Sequence, residues 1–265
     1  MRLDAELVRR GLARSRRQAG ELIAAGRVHV DGARVLRAAA PVDDGRALAV
    51  EADAGDPGYA SRAGHKLAAA LDAWPQVVVE GRDCLDAGAS TGGFTDVLLR
   101  RGARRVVAVD VGHGQLRPEI AADLRVEVRE GVNVRDLREG DVEPAPGLVV
   151  VDLSFISLRL VLAPLAAVAA GDADLVVLVK PQFEVGRERL GSGGVVRDAA
   201  ARGDAVQGVL AAAAEAGLSA RDAMISPLPG ADGNVEYLCW LRGPAAPDTG
   251  CLDGARLDAV LGGNP

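Results

Sequence analysis

Of the 31 lysines and arginines in this 265-residue chain, two are lysines, Lys66 and Lys180. Arginine stays protonated in a protein, whereas a lysine taken out of water can give up its proton and act as a base. A chain that uses arginine almost everywhere and keeps lysine twice marks those two positions for chemistry. Two carboxylates stand at the edges of apolar runs, Asp152 after one and Glu236 before another, where a charged residue is often only an end marker. Two lysines and two carboxylates can move a proton, hold an ammonium by charge-assisted hydrogen bonds and stabilise a developing oxyanion.

These residues need rigid elements to bring them together. Four apolar runs end in charge: Cys84-Leu85 at Asp86, Val106 to Val109 at Asp110, Leu148 to Val151 at Asp152, and Leu175 to Val179 at Lys180. Apolar runs alternating with helical patterns predict an α/β fold with a parallel sheet, and ligands bind outside the carboxyl ends of such strands. Lys66 lies early in a helix whose apolar stripe is Leu67, Ala70, Leu71 and Trp74. A helix start disfavours a cation, so that lysine does not serve the helix. Glu236 opens a further apolar strand, Tyr237 to Leu241.

The first strand leads into Asp86-Ala-Gly88-Ala-Ser90-Thr91-Gly92-Gly93-Phe94-Thr95. Glycines there let backbone approach a ligand closely, and a helix N-terminus follows. The loop lacks the Gly-Lys-Ser/Thr of a P-loop and the G-x-G-x-x-G of nicotinamide enzymes. Asp110, at the end of the next strand, can take ribose hydroxyls. A nucleoside without a pyrophosphate fits, which points to S-adenosylmethionine. The residues expected to hold it are Asp86, Gly88, Ser90, Thr91, Gly92, Phe94, Asp110, Val111 and Asp152, with Asn133 beside the adenine. Asn133 also reads as a simple turn residue.

Charge divides the chain unevenly. Residues 1–50 carry a net +4 and the remainder −10, within a total of −6. A basic module on an acidic body suggests a polyanionic partner. The module reads as two helices, Arg2 to Arg10 and Arg16 to Ala25 with Ser15 as cap, then a hairpin turning at Asp31-Gly32. Arg9, Arg10, Arg14, Arg16 and Arg17 cluster where the helices meet and could grip an RNA backbone. Domain limits follow: 1–50 for RNA binding, a small polar linker over 51–60, a catalytic domain over 61–243, and a Gly/Pro/Ala-rich flexible tail over 244–265 with a short helix near Leu257.

The N-terminal pattern resembles the RNA-binding domain first known from ribosomal protein S-four, in Arg2-Leu3-Asp4, Ser15-Arg-Arg-Gln-Ala19, Leu22 to Val28 and Val30-Asp-Gly32. The lysines and carboxylates around an S-adenosylmethionine fold resemble the Lys-Asp-Lys-Glu tetrad of FtsJ-like ribose 2′-O-methyltransferases. A closer resemblance is to the hemolysin-named TlyA family of that group. It is carried by Ser61 to Leu67, Asp86 to Asp96, Asp110-Val-Gly112, Asp152 to Ser157, Lys180 to Gly186, Gly193 to Asp198 and Ser226 to Tyr237. The resemblance implies a Rossmann-like methyltransferase with a mostly parallel seven-stranded sheet. It also implies methylation of cytidine ribose in 16S and 23S rRNA, with rRNA or ribosomal subunits as partners. Lys180 would then be the base, steered by Asp152. Lys66 would orient the hydroxyl, and Glu236 would hold the lysines. One departure stands out. Related sequences carry a basic, tryptophan-containing linker, and here Pro57-Gly58-Tyr59-Ala60 keeps only its aromatic character.

Other classes find little support. No apolar run is long enough to span a bilayer and no secretory leader opens the chain, so a cytoplasmic protein without a membrane partner is expected. The three cysteines (Cys84, Cys239 and Cys251) and three histidines (His29, His65 and His113) have no metal-ligand spacing, so no metal is expected. The rivals are a membrane-lytic protein, which needs an exposed insertion segment, and an RNA-binding assembly factor on a vestigial fold. The glycine-rich loop from Gly186 to Gly194, close behind Phe183, could order over bound RNA, and it reads equally as a passive surface loop.

Overall fold

The structure, a computed structural model, describes residues 1–13, 16–51, 57–230, 233–247 and 250–263, without the side chains of Arg17, Arg187 and Ser192. The chain divides into two compact units, Met1–Gly58 and Tyr59–Pro265.

In the first unit, helices α1 (Leu3–Arg9) and α2 (Arg16–Ala24) cover an antiparallel sheet of β1 (Val28–Val30), β2 (Ala33–Arg34) and β3 (Leu48–Val50), in the order β2-β1-β3. Leu3, Leu7, Ala19 and Ile23 bury the helix faces against Val28 and Val30. The hairpin turns where expected, with left-handed backbone at Asp31 (φ 49°) and Gly32 (φ 80°). The third strand is new. Three residues carry too little alternation to read as a strand, and β3 exists because β1 offers it an open edge. The expected cap Ser15 lies outside the described residues.

The second unit is a three-layer sandwich. Helices α3 (Ala63–Ala73), α4 (Gly93–Arg100), α5 (Pro118–Ala121), α6 (Leu162–Val168), α7 (Pro181–Glu184), α8 (Ala199–Glu215) and α9 (Gly254–Gly262) surround one sheet. Its strands are β4 (Asp83–Ala87), β5 (Arg105–Asp110), β6 (Val126–Glu130), β7 (Leu148–Val151), β8 (Asp174–Val179), β9 (Ser219–Ile225) and β10 (Tyr237–Arg242), in the order β6-β5-β4-β7-β8-β10-β9. β10 alone runs against its neighbours, antiparallel to both β8 and β9. This is the Rossmann-like methyltransferase sheet, mostly parallel and seven-stranded.

Side chains alternate across this sheet. Leu85, Val107, Val149, Val151, Val177, Val179 and Cys239 face α6 and α8, where Leu162, Leu165, Val206 and Val209 cover them. Cys84, Val106, Leu148, Val150, Val176, Leu178 and Leu238 face α3 and α4, against Leu67, Leu71, Val97 and Leu98. Each fully buried leucine of this kind contributes about 1.5–3 kcal/mol relative to exposure.

Two expected boundaries move. Tyr59 and Ala60, placed in the linker, belong to the second unit: Ala60 N–H donates to Asp96 Oδ2 at 2.7 Å, and the Tyr59 ring lies beneath the Arg100 guanidinium. Residues 52–56 of that linker lie outside the described residues. The tail also differs from a flexible segment. Asp253 caps α9, and Val260 is buried against the sheet core with Leu257 and Leu261 beside it.

Candidate active site

The period of two along the strands decides where the charged residues go. Cys84 faces α3 and α4, so Asp86 does too. The same parity carries Asp152 beyond Val150, Lys180 beyond Leu178 and Glu236 ahead of Leu238 onto that face. Lys66 meets them there from α3, its first turns pressed against the start of α4. A Cβ added to Gly93 would collide with Ser61 Oγ and come within 3.2 Å of Gly64 N.

The tetrad assembles as two ion pairs. Lys66, 5% exposed, donates through Nζ to Glu236 Oε2, and Glu236 is 2% exposed. Lys180 Nζ lies 2.7 Å from Asp152 Oδ1 and donates to Ser154 Oγ at 2.8 Å. The approach to Asp152 is an oblique charge contact, and Oδ1 is buried with no hydrogen-bond donor aimed at it. The register that pairs Tyr237 with Val179 continues to set Glu236 across from Lys180 at the strand ends. Glu236 thus holds Lys66, while Asp152 and Ser154 hold Lys180.

A cavity of about 510 Å³ opens above β4, β5 and β7, lined by Gly88, Ser90, Asp110, Val111, Asn133 and Asp152 among others. Its volume lies in the range of sites for cofactor-sized ligands. Gly88 forms its floor with φ +91°, and a Cβ there would sit 2.6 Å from the Asp152 carbonyl oxygen. Asp110 is set by the N–H groups of Ser90, at 2.8 Å, and Gly112, at 2.7 Å, which leave further lone pairs on the cavity side. Val132, Val134 and Ile156 give an apolar wall suited to a flat base, and Asn133 accepts from Arg135 N as a turn residue while lining the same wall. Carboxylate, glycine floor and apolar wall together fit a nucleoside-bearing cofactor such as S-adenosylmethionine.

Four of the expected cofactor residues, Asp86, Thr91, Gly92 and Phe94, do not line this cavity. β4 runs one residue past Asp86, which is fully buried and accepts from Thr95 Oγ1 at 2.6 Å. Burial, with the Asp152 and Asp110 carboxylates nearby, pushes the Asp86 carboxyl up to about 7 against the Thr95 hydroxyl. Gly92 is buried at the head of α4, with a Cβ there meeting Leu116 and Ile120. Phe94 is core, and with Thr91 it borders a smaller recess that Lys180 and Asp152 also line.

A third cavity, of about 320 Å³, is lined by Ser154, Phe155, Lys180, Phe183 and Glu236 among others. Phe155 has a left-handed backbone (φ 65°) and stands 91% exposed, 5.2 Å from the Phe183 ring. Ser154 and Phe155 line both this cavity and the cofactor-sized one. Sequence reasoning gave them no role, although they follow Asp152 by two and three positions. The signal was the strand end itself, since whatever follows β7 must border the same cleft.

In the first unit, Arg9 and Arg10 fork onto the buried Glu6, whose carboxyl they hold down at about 2. Arg10 also donates to the carbonyls of Asp44 and Arg46. Arg16 pairs with Asp4 at 3.0 Å. Arg9 and Arg10 therefore brace the fold as well as presenting charge. Arg14 and the Arg17 side chain lie outside the described residues. Among the described residues no helix is long and apolar enough to cross a membrane, and no cluster of metal-ligating side chains converges.

Comparison with known proteins agrees with this fold. The family of FtsJ-like methyltransferases matches residues 59–243, and the S4 domain matches residues 1–47. The chain is 54% identical over 241 residues to the 16S/23S rRNA (cytidine-2′-O)-methyltransferase TlyA of Mycobacterium tuberculosis, covering 91% of this chain and 89% of that protein. It is 38% identical to hemolysin A of Brachyspira hyodysenteriae, covering 90% of this chain and 98% of the relative. A solved structure of a protein described as a hemolysin from Streptococcus thermophilus superposes with a TM-score of 0.77 at 36% identity, covering 99% of this chain and 94% of the other.

Proposed function

The chain belongs to the TlyA group of FtsJ-like methyltransferases, and from that premise we propose that it methylates the ribose 2′-hydroxyl of cytidines in 16S and 23S rRNA. The observation that carries the reading is the placement of Lys180. It lines a recess with Gly88 and Asp152 on one side and a cavity with Phe155 and Glu236 on the other.

S-adenosylmethionine supplies a methyl group on a positively charged sulfur. Asp110 is suited to its ribose hydroxyls, Gly88 to close backbone approach, and Val134 and Ile156 to its base. On the substrate side, a ribose hydroxyl is a poor nucleophile until its proton leaves. Lys180, as the neutral amine, would take that proton on Nζ as the oxygen attacks the methyl carbon, so that the O–H and methyl C–S bonds break while the O–C bond forms and sulfur keeps the C–S electron pair as a neutral thioether. Ser154 Oγ and Asp152 fix the amine and then stabilise the ammonium it becomes. Lys66 reaches Glu236 rather than either cavity wall, so its part is to hold Glu236 in place beside the reacting hydroxyl. Bringing the groups into line supplies much of the acceleration.

The S4 domain, with net charge +4 over residues 1–50, is suited to holding structured rRNA. The hemolysin names of some relatives raise a lytic reading, for which the described residues offer no membrane-spanning helix. Transfer of labelled methyl from cofactor to separated ribosomal subunits, followed by nuclease mapping, tests the proposal. It expects label on cytidine ribose. Leakage of liposomes with no methyl transfer would favour lysis.

A further inference from the structure

Lys180 and Asp152 come from different chain segments: the end of β8 leading into α7, and the loop that leaves β7. The contact between Lys180 and Asp152–Ser154 is one tie between them. A second tie lies four residues beyond Lys180 and three to four beyond Ser154. Glu184, the last residue of α7, is buried, and its carboxylate accepts from Ser157 Oγ at 2.5 Å and from Leu158 N at 2.7 Å. Arg159 adds a donor from Nη2 to the Glu184 carbonyl at 2.9 Å and an ion contact to Oε2 at 3.4 Å. Between the two ties, Phe155 and Phe183 meet ring to ring.

We propose that Glu184 is a positioning residue for Lys180, its carboxylate strapping the 152–158 loop to α7 so that Asp152 and Ser154 stay on the lysine amine. This rests on the methyltransferase reading of the site. A plain core role is poorly served by a carboxylate, since an apolar side chain would fill the space without desolvating a charge. What a carboxylate does here is accept from Leu158 N and Ser157 at once with its two oxygens, and an amide can bond the same two groups with the Ser157 bond reversed. The loop has no regular hydrogen-bond ladder between Val151 and the turn at Leu158–Leu160 to set its path. Without the strap, Asp152 and Ser154 are free to leave Nζ, and small misplacements at a reacting centre cost much rate.

The lysine count makes a direct test possible. With two lysines in the chain, protein labelled with ¹³C at lysine Cε gives two side-chain signals, assigned with Lys66→Arg. Glu184→Ala should move the Lys180 signal, leave that of Lys66, and lower kcat by roughly 100-fold with KM for ribosomal subunits within about threefold. Glu184→Gln should restore most of both, because the amide oxygen accepts from Leu158 N and the Ser157 hydroxyl can turn to accept from the amide. If Glu184→Ala does not fold, Ser157→Ala, which removes one strap bond, should move the same signal by less. A folded Glu184→Ala or Ser157→Ala protein with an unmoved Lys180 signal overturns the proposal, as does Glu184→Gln failing as badly as alanine. Absence of methyl transfer by the wild type would sink the functional reading alone, because the spectra still report whether Glu184 places the lysine.

Discussion

Asp86 offers a quantitative test of how burial shapes this site. Its carboxyl rises from an ordinary 3.8 to about 7, chiefly through burial. Below about pH 4 the folded and unfolded chains both hold the proton and the residue has no effect. Between about pH 4 and 7 the unfolded chain loses its proton while the folded chain keeps it, so stability falls as pH rises. Above about 7 the folded carboxylate ionises too, and the penalty levels off at about 4 kcal/mol. Asp86→Asn carries no charge and escapes this penalty, although its buried amide donors add a pH-independent cost. The stability of Asp86→Asn relative to wild type should therefore rise by about 3 kcal/mol between pH 5 and pH 8. Both tryptophans, Trp74 and Trp240, are buried in the core on the α3–α4 face, so urea unfolding followed by their fluorescence reads this unit directly. A difference that stays flat from pH 5 to pH 8 would refute the burial argument and show Asp86 ionised inside the fold.

Three further outcomes follow from the same geometry. Lys66→Met strands Glu236 without its partner and should destabilise the second unit by about 3–5 kcal/mol in the same assay, while Lys66→Met with Glu236→Leu should recover most of that. Gly88→Ala places a Cβ against the Asp152 carbonyl on a left-handed backbone that costs about 1–2 kcal/mol for alanine, so calorimetry should find S-adenosylmethionine binding at least roughly tenfold weaker. In the first unit, the ion pairs of Glu6 support the fold above its ordinary pKa of 4.5 and are lost as pH falls toward about 2. Protection of the α1 amides, taken against their intrinsic exchange rate at each pH, should fall over that window, and Glu6→Gln should reduce that fall, the ion pairs of Asp4 supplying the remainder.

Much of the site was legible because Asp86, Asp152 and Lys180 end apolar runs, which sets them at the carboxyl edge of a parallel sheet. That they share one face with Glu236, on the parity of Cys84, Val150, Leu178 and Leu238, came from the packing of the helices and the register of the last strand. Cavity lining was harder to read. Asp86 ends an apolar run in sequence, yet β4 continues through Ala87 and buries it, because pairing with β5 and β7 extends one residue further. The partners of each lysine also depended on three dimensions. Glu236 pairs with Lys66 across 170 positions of sequence, and Ser154 reaches Lys180 through the path of a loop rather than through any periodicity. β3 was obscure for another reason: it is short, and its stability comes from an edge supplied by β1. The helix near Leu257 was legible, but its seat against the core, where Val260 is buried, comes from a groove supplied by other elements.

Methyl transfer in this site turns on Lys180 removing the proton from a ribose hydroxyl. Single-turnover methyl transfer to ribosomal subunits, comparing wild type with Lys180→Arg, tests it most directly. Arginine keeps the positive charge and can still meet Asp152, but it cannot accept a proton. The expected result is cytidine 2′-O-methylation by wild type, a rate lower by roughly 10²–10⁴ in the variant, and undiminished binding of S-adenosylmethionine by calorimetry. Transfer by Lys180→Arg at close to the wild-type rate, or label found on a base rather than a ribose, would contradict the account.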